Sequence, residues 1–408
     1  MEYVTENAPQ SQFINMKKIA FIIAALILPG FEKKPTTIDT SLLRQYFEES
    51  SLPAAMMGYA TKDGTPRWYA FGPAIWNHSD TVSEKHIFRI LSMTKAISSV
   101  AALQLVERGL IGLNDPLNDL MPEMTSIPIL TADGALVKSD KVITLRHLMT
   151  HTSGFGAEGL SARLTNFKPK TWNHEDKPRL FEPGTQWQYG TSTDWVGKII
   201  EKASGQDLET YFRDNITGPL QMNHTWFNVP DSLEHLIVSW GARDSTGFRE
   251  NQRIRQKPVT TYSAGSGLFG SPEDYLSFLT CLLNGGKYPG GQLLKPETVD
   301  MIFKDQLPHN LTIDYELPDE LLSSDREIYQ DESDKHGLAW AIENNPAEKI
   351  RPRGSGYWGG AANSFYTIDN TNKIAIVYFT QFFPFNDKES FGFYRLFEKE
   401  VFAGTKNR

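Results

Sequence analysis

Strand-like patterning lies at the two ends of this chain and helical patterning fills the middle, a division that limits the architectures open to it. Near the start, residues 54–61 and 67–71 are apolar or aromatic runs joined by a short connection containing Asp63-Gly64, a hairpin signal. Near the end, residues 336–342, 364–368 and 373–380 have strand patterning, and Asp369-Asn370-Thr371-Asn372 suits the turn between the last two. A sheet assembled from both ends encloses what lies between them in sequence, so an α/β domain with a helical domain inserted into it is expected. At 408 residues the chain is long for one hydrophobic core, which agrees with two domains. The expected boundaries are an N-terminal extension or signal-like segment at 1–35, a discontinuous α/β domain at 36–91 and 290–408, and a mostly helical domain at 92–289.

The helical part opens on Phe88-Arg89-Ile90-Leu91-Ser92-Met93-Thr94-Lys95, followed by Ala96, Ile97, Val100, Ala101 and Leu105 at helical spacing. A helix starting here puts Ser92 and Lys95 one turn apart on one face, a hydroxyl beside an amine. Serine needs a neighbouring base to become a nucleophile, and lysine can serve where its surroundings leave it neutral. That is the chemistry of Ser-x-x-Lys. The tetrapeptide alone fits a capping serine and a solvated lysine equally well, so other positions must decide.

Those positions lie further on. Glu182-Pro183-Gly184 opens a loop that carries Tyr189 to the entrance of a helix, with Thr193 or Asp194 as its expected cap, Trp195, Val196, Ile199 and Ile200 as its apolar stripe, and Gly205 as its stop. Gly265-Ser266-Gly267-Leu268-Phe269-Gly270-Ser271-Pro272 is a glycine-rich turn before a helix at about 273–284; it lacks Gly-Lys-Ser/Thr, so tight packing is the expected reason for the glycines. Residues 308–335, acidic and irregular, read as a surface excursion. His147 and His151, four apart, have no Glu-x-x-His context or third ligand, so hydrogen bonding at a helix end is expected rather than a metal. The single cysteine, Cys281, excludes an intrachain disulfide and thiolate-rich metal sites, and its apolar setting reads as core. No cofactor and no metal are called for. A net charge of -8 with no basic stripe argues against nucleic acid as a partner. Met16-Lys17-Lys18 followed by ten apolar residues has the layout of a secretory signal and is too short for a stable membrane span. Export or loose membrane tethering is therefore the expectation, with a cytoplasmic protein as the alternative.

Ser92-Met93-Thr94-Lys95 at a helix start, Tyr189-Gly190-Thr191 on a loop and Trp358-Gly359-Gly360 before the late strands occur in the order and rough spacing of the serine β-lactamase superfamily. The chain resembles most the family VIII carboxylesterases and related fungal acyltransferases, relatives of class C β-lactamases, from roughly Leu43 to the C-terminus. His147-Leu148-Met149-Thr150-His151-Thr152-Ser153-Gly154, Glu182-Pro183-Gly184, Gly218-Pro219-Leu220-Gln221-Met222 and Gly265-Ser266-Gly267 agree with it. The resemblance implies an α+β, β-lactamase/transpeptidase-like fold: an antiparallel five-stranded sheet flanked by helices plus an inserted, mostly helical domain. It implies Ser92 as nucleophile, Lys95 as its base and Tyr189 as a second proton carrier. The oxyanion would be met by the backbone N–H groups of Ser92 and Ala361, and Trp358, Gly359, Gly360 and Thr191 would line the pocket.

Departures from the β-lactamase pattern narrow the expectation. Trp358 stands where those enzymes carry the lysine of Lys-Thr-Gly, and Thr191 stands where they carry asparagine. Both anchors for an anionic bicyclic amide are gone, while an uncharged ester loses nothing. The expected activity is that of a serine carboxylesterase working through an acyl-enzyme on small esters, with acyl transfer to an alcohol or amine as its extension. A β-lactamase or D-amino-acid peptidase is the enzymatic alternative, and a non-catalytic binding relative is the alternative of another class. No Gly-x-Ser-x-Gly occurs, which excludes the nucleophile elbow of α/β-hydrolases. Phe155, Trp187, Tyr357 and Phe365 are candidates for an acyl pocket, with core packing as the alternative.

Overall fold

Seven strands form one antiparallel sheet: β1 (Ala55–Ala60), β2 (Arg67–Phe71), β3 (Lys335–His336), β4 (Ala341–Ile342), β5 (Gly356–Gly360), β6 (Ser364–Asp369) and β7 (Ile374–Phe379), in the spatial order β3-β4-β5-β6-β7-β1-β2. The computed structural model describes residues 38–405 except 63, 252–256, 309, 314–332 and 345–349. The signal-like segment lies outside these, as does most of the acidic stretch 308–335. Five of the strands have five or six residues and make the expected sheet; β3 and β4 add two short strands at one edge. The run 336–342, read as one strand, is instead folded back on itself. Gly337 N–H donates to Trp340 O at 2.9 Å, and a Cβ on Gly337 would be driven into the Ile302 carbonyl oxygen.

The sheet is covered on both faces, and its side chains alternate accordingly. Along β7, Ile374, Ile376 and Tyr378 join one apolar cluster while Ala375, Val377 and Phe379 join the other. Burial on both sides is why these strands read as continuous apolar runs. One face carries α1 (Thr40–Glu49), begun by the Asp39 side chain accepting from Ser41 N–H, and the C-terminal helix, which supplies Phe393, Tyr394, Phe397 and Val401. The other face carries most of the remaining helices: α2 (Thr94–Glu107), α3 (Leu145–Met149), α4 (Ser192–Ser204) and α5 (Pro272–Leu283). The C-terminal helix is α6 (Lys388–Thr405).

Two features shape the link between sheet and helices. The residues of α2 from Thr94 to Leu105 are all buried, so this helix runs through the middle of the protein instead of showing one wet face. Its polar side chains are satisfied internally: Ser98 Oγ donates to Ala264 O at 2.7 Å and Gln104 Nε2 to Leu293 O at 3.2 Å. α5, which the sequence reading grouped with the helical domain, packs on β7 and β1. One apolar cluster runs unbroken from Met56 and Val377 of the sheet through Ile97 of α2 to Ile199 of α4. A short hairpin, Ile129–Leu130 with Leu136–Val137, interrupts a region read as helix and loop.

Candidate active site

The site grows from a single turn. β5 ends at Gly360 against the residues that precede Ser92: a Cβ on Gly360 would collide with the Ile90 carbonyl oxygen and lie 3.5 Å from Leu91 Cβ. Leu91 has φ +47°, a left-handed conformation that a bulky residue adopts at a cost of about 1–3 kcal/mol. The chain then makes one 3₁₀ turn, Leu91–Met93, before α2 begins at Thr94. Ser92 therefore sits on a strained turn just outside the helix, and Lys95 sits in its first turn.

Three side chains from distant parts of the chain converge there. Tyr189 OH donates to Ser92 Oγ at 2.8 Å, and Lys95 Nζ donates to Ser92 Oγ at 3.3 Å. Lys95 Nζ also donates to Gly265 O at 2.8 Å and stands 4.7 Å from the centre of the Tyr189 ring. Lys95 and Tyr189 are each only 8% exposed, so this cluster has little water to screen it. Tyr189 is placed by its loop: Gln188 N–H donates to His151 O at 2.9 Å, and Gly190 passes so close to Gly156 that a Cβ would strike its backbone.

Trp358 lies within β5, which includes the glycines read as preceding the strands. Its ring is 5.3 Å from that of Tyr189. Gly359 faces Phe365 across the sheet, and a Cβ there would come within 2.7 Å of the Phe365 ring. Ala361 follows Gly360 and is partly exposed beside the Ser92 turn. Thr191 is tied elsewhere. Its hydroxyl donates to Asp176 and to the Gly156 carbonyl, and it is not joined to Ser92, Lys95 or Tyr189.

Two histidines complete an aromatic wall that sequence reasoning did not assemble. The His151 ring lies 4.9 Å from Tyr189, 5.4 Å from His336 and 6.5 Å from Trp358, and Trp187 closes the group 5.9 Å from His151. Burial keeps both imidazoles neutral. His151 is held well below the usual histidine value by burial, then by His336 and Lys95, and His336 is pushed down to about 4 by burial against one hydrogen bond to Gly337 O. His147, by contrast, is a helix-end group as read: its Nδ1 accepts from Thr144 N–H at 3.2 Å. Of the proposed pocket aromatics only Trp187 is at the site. Phe155 packs on Trp195, Phe365 on Tyr394 beneath the sheet, and Tyr357 donates to Asp334 beside Arg351. Cys281 is buried, its thiol pushed up to about 12.

A cavity of about 920 Å³ has Arg89, Phe227, Val238, Trp240, Phe269 and Gln381 in its walls, and none of Lys95, Tyr189 and Trp358. Arg89 is three residues before Ser92; its guanidinium carbon is 5.7 Å from the Phe269 ring centre, and its backbone N–H donates to Gln381 Oε1 at 2.7 Å. Ser92 itself is not among the lining residues.

Comparison with known proteins gives the chain a family and a fold. A family model described as Beta-lactamase matches residues 41–399. The chain is 29% identical over 347 residues to monacolin J acid methylbutanoyltransferase of Aspergillus terreus, covering 77% of this chain and 81% of that one. It is 30% identical over 246 residues to lovastatin esterase of Penicillium rubens, covering 54% of this chain and 60% of that one. Among solved structures, the LovD9 mutant of simvastatin synthase from Aspergillus terreus superposes with TM-score 0.79 at 27% identity, over 90% of this chain and 100% of that one. The sheet order, the convergence on Ser92 and these likenesses together place the chain in the beta-lactamase family, as a serine hydrolase-type enzyme of the β-lactamase/transpeptidase-like fold.

Proposed function

We propose that the chain transfers acyl groups from small carboxylic esters through an acyl-enzyme on Ser92, to water or to an alcohol. The observation that carries this reading is the pair of hydrogen bonds reaching Ser92 Oγ, one from Tyr189 and one from Lys95. Ser92 Oγ attacks the ester carbonyl and its proton passes to the Lys95–Tyr189 pair. The tetrahedral oxyanion is met by the backbone N–H groups of Ser92 and Ala361. Its collapse breaks the ester C–O bond, and the pair returns a proton to the leaving alkoxide. In the second half, the pair takes a proton from the incoming water or alcohol as it attacks the acyl carbon; collapse of this second intermediate breaks the bond to Ser92 Oγ, and the pair returns the proton to Ser92.

Trp358 favours an uncharged substrate. An indole at this position offers a flat apolar wall and no cation for a carboxylate. The relative named as a methylbutanoyltransferase supports a short acyl group, and the relative named as an esterase supports water as an acceptor.

Intact mass after brief exposure to nitrophenyl esters and β-lactams tests this. The expected result is an acyl adduct from short esters, little or none from β-lactams, and none on Ser92→Ala. Ser92→Ala is expected to lower ester turnover at least about 10⁴-fold with folding intact, and Lys95→Ala nearly as far. A Ser92→Ala protein that keeps most of its turnover would overturn the assignment.

A further inference from the structure

Lys95 has a partner that the acyl-transfer scheme leaves without a role. Its amine is nearer the Gly265 carbonyl, at 2.8 Å, than Ser92 Oγ, at 3.3 Å. The peptide unit that carries this carbonyl is held from its other end. Ser266 N–H donates to Ser263 Oγ at 3.1 Å, and Ser263 Oγ donates to Asp194 Oδ1 at 2.7 Å. Gly265 N–H donates to the same carboxylate oxygen at 3.1 Å.

Asp194 is not the helix cap that the sequence suggested. α4 begins at Ser192, and its N-cap residue, Thr191, makes no side-chain capping bond. The Asp194 carboxylate points instead to the segment 263–267. That segment is clamped between two helices: a Cβ on Gly197 of α4 would come within 2.6 Å of Ala264 Cβ, while Ser98 of α2 donates to Ala264 O and Leu268 N–H donates to Thr94 Oγ1 at 3.2 Å. Asp194 and Tyr189 are five residues apart, so one short stretch of chain carries both the tyrosine bonded to Ser92 and the carboxylate that holds the carbonyl partner of Lys95.

We infer that Asp194 is a positioning residue for acyl transfer: through Ser263 and the Gly265–Ser266 peptide it fixes the Gly265 carbonyl, and with it the direction of the Lys95 amine. An amine turns freely about its last carbon–nitrogen bond, and its lone pair is useful to Ser92 only in one orientation. Pinning one N–H on the fixed Gly265 carbonyl removes one of the three staggered orientations and holds the lone pair to the two that remain, one of which faces Ser92. The carbonyl in turn stays in place only while its peptide is anchored, and Asp194 and Ser263 are the anchors. This inference rests on Lys95 acting as the base for Ser92.

Steady-state kinetics on a nitrophenyl ester, with thermal midpoints alongside, test it in the full chain. Ser263→Ala and Asp194→Ala are expected to lower kcat about tenfold or more while KM stays within about twofold, because both side chains are bonded to the 263–266 segment and neither to Ser92 or Tyr189. Asp194→Asn, which keeps an acceptor oxygen, is expected to recover most of the loss. The double variant is expected to be no worse than Asp194→Ala, since the two side chains act in series. If Asp194→Ala does not fold, Ser263→Ala and Asp194→Asn decide the matter. Wild-type kcat in Ser263→Ala, a loss carried by KM, an Asp194→Asn no better than Asp194→Ala, or multiplied losses in the double variant would each overturn the role. Ser92→Ala separates the two claims: if it is inactive while the Asp194 and Ser263 variants match wild type, only the positioning role falls.

Discussion

At Tyr189 a single oxygen separates packing from chemistry. Its ring lies against Lys95, His151 and Trp358, while its hydroxyl reaches Ser92. Tyr189→Phe keeps the ring and removes the hydroxyl proposed to carry the proton. Its kcat/KM on esters is expected to fall about 10²–10⁴-fold, with unfolding free energy changed by about 1 kcal/mol or less in urea titration. Gly360 is the reverse case, a residue without chemistry that sets the place of the chemistry. Gly360→Ala forces a methyl into the Ile90 carbonyl and must push the Ser92 turn away from β5, which carries the Ala361 amide. Ester turnover is expected to drop about 10²-fold, to be read from the acylation burst. The meeting of Ser92 and Lys95 was legible because they are three residues apart across a 3₁₀ turn that runs into the helix, and the place of Tyr189 because its loop motif is local. His151 and His336 were not: 185 residues separate them, and their contact at 5.4 Å exists only in the folded chain.

The elements differ in how much of them sequence period alone could reveal. α1, α5, α6 and the hairpin β1–β2 follow their patterns closely, because cap, turn and apolar repeat all lie within the element. β5 does not. Three of its five residues are glycine, and nothing local marks it as a strand; the near approach of Trp340, Phe365 and Ile90 explains why glycine is there. α6 also carries a device invisible in the sequence. Glu398, fully buried, meets Arg351 at 3.5 Å and Arg395, and Arg351 meets Glu343 at 3.3 Å. The guanidinium of Arg351 and that of Arg395 hold the Glu398 carboxyl below the usual range against the effect of its burial. Arg351→Met takes a guanidinium from two buried carboxylates while Arg395 stays on Glu398, and should cost about 3–5 kcal/mol in urea unfolding while leaving kcat/KM of the folded enzyme near wild type. The cluster anchors α6 and the end of the chain, and it contacts none of the three groups around Ser92.

For the molecule as a whole, the neutral imidazoles at the site tie stability to pH. His336 titrates near 4 when folded and near the ordinary 6.5 when unfolded. Above the unfolded value neither state holds the proton; as pH falls through the window the unfolded chain binds a proton that the folded one refuses. Stability is thus lost on acidification from about 6.5 to about 4, by up to about 3 kcal/mol, and His151 acts with the same sign. Asp274, raised to about 6 by burial, acts with the opposite sign, because the folded state takes up its proton first. The readout is therefore a difference: His336→Phe should show a flatter fall of its urea midpoint than wild type over this range, and equal slopes would show that His336 does not titrate as described. What the sequence alone determined was everything written in short-range period and spacing: the strands at both ends, the helices between them, and the serine, lysine and tyrosine with their intervals. What only the tertiary structure decided was which of the other side chains meet them. The aromatic wall, the Asp194 strap and the buried ion cluster depend on segments tens to hundreds of residues apart, and no local propensity encodes where such segments will touch.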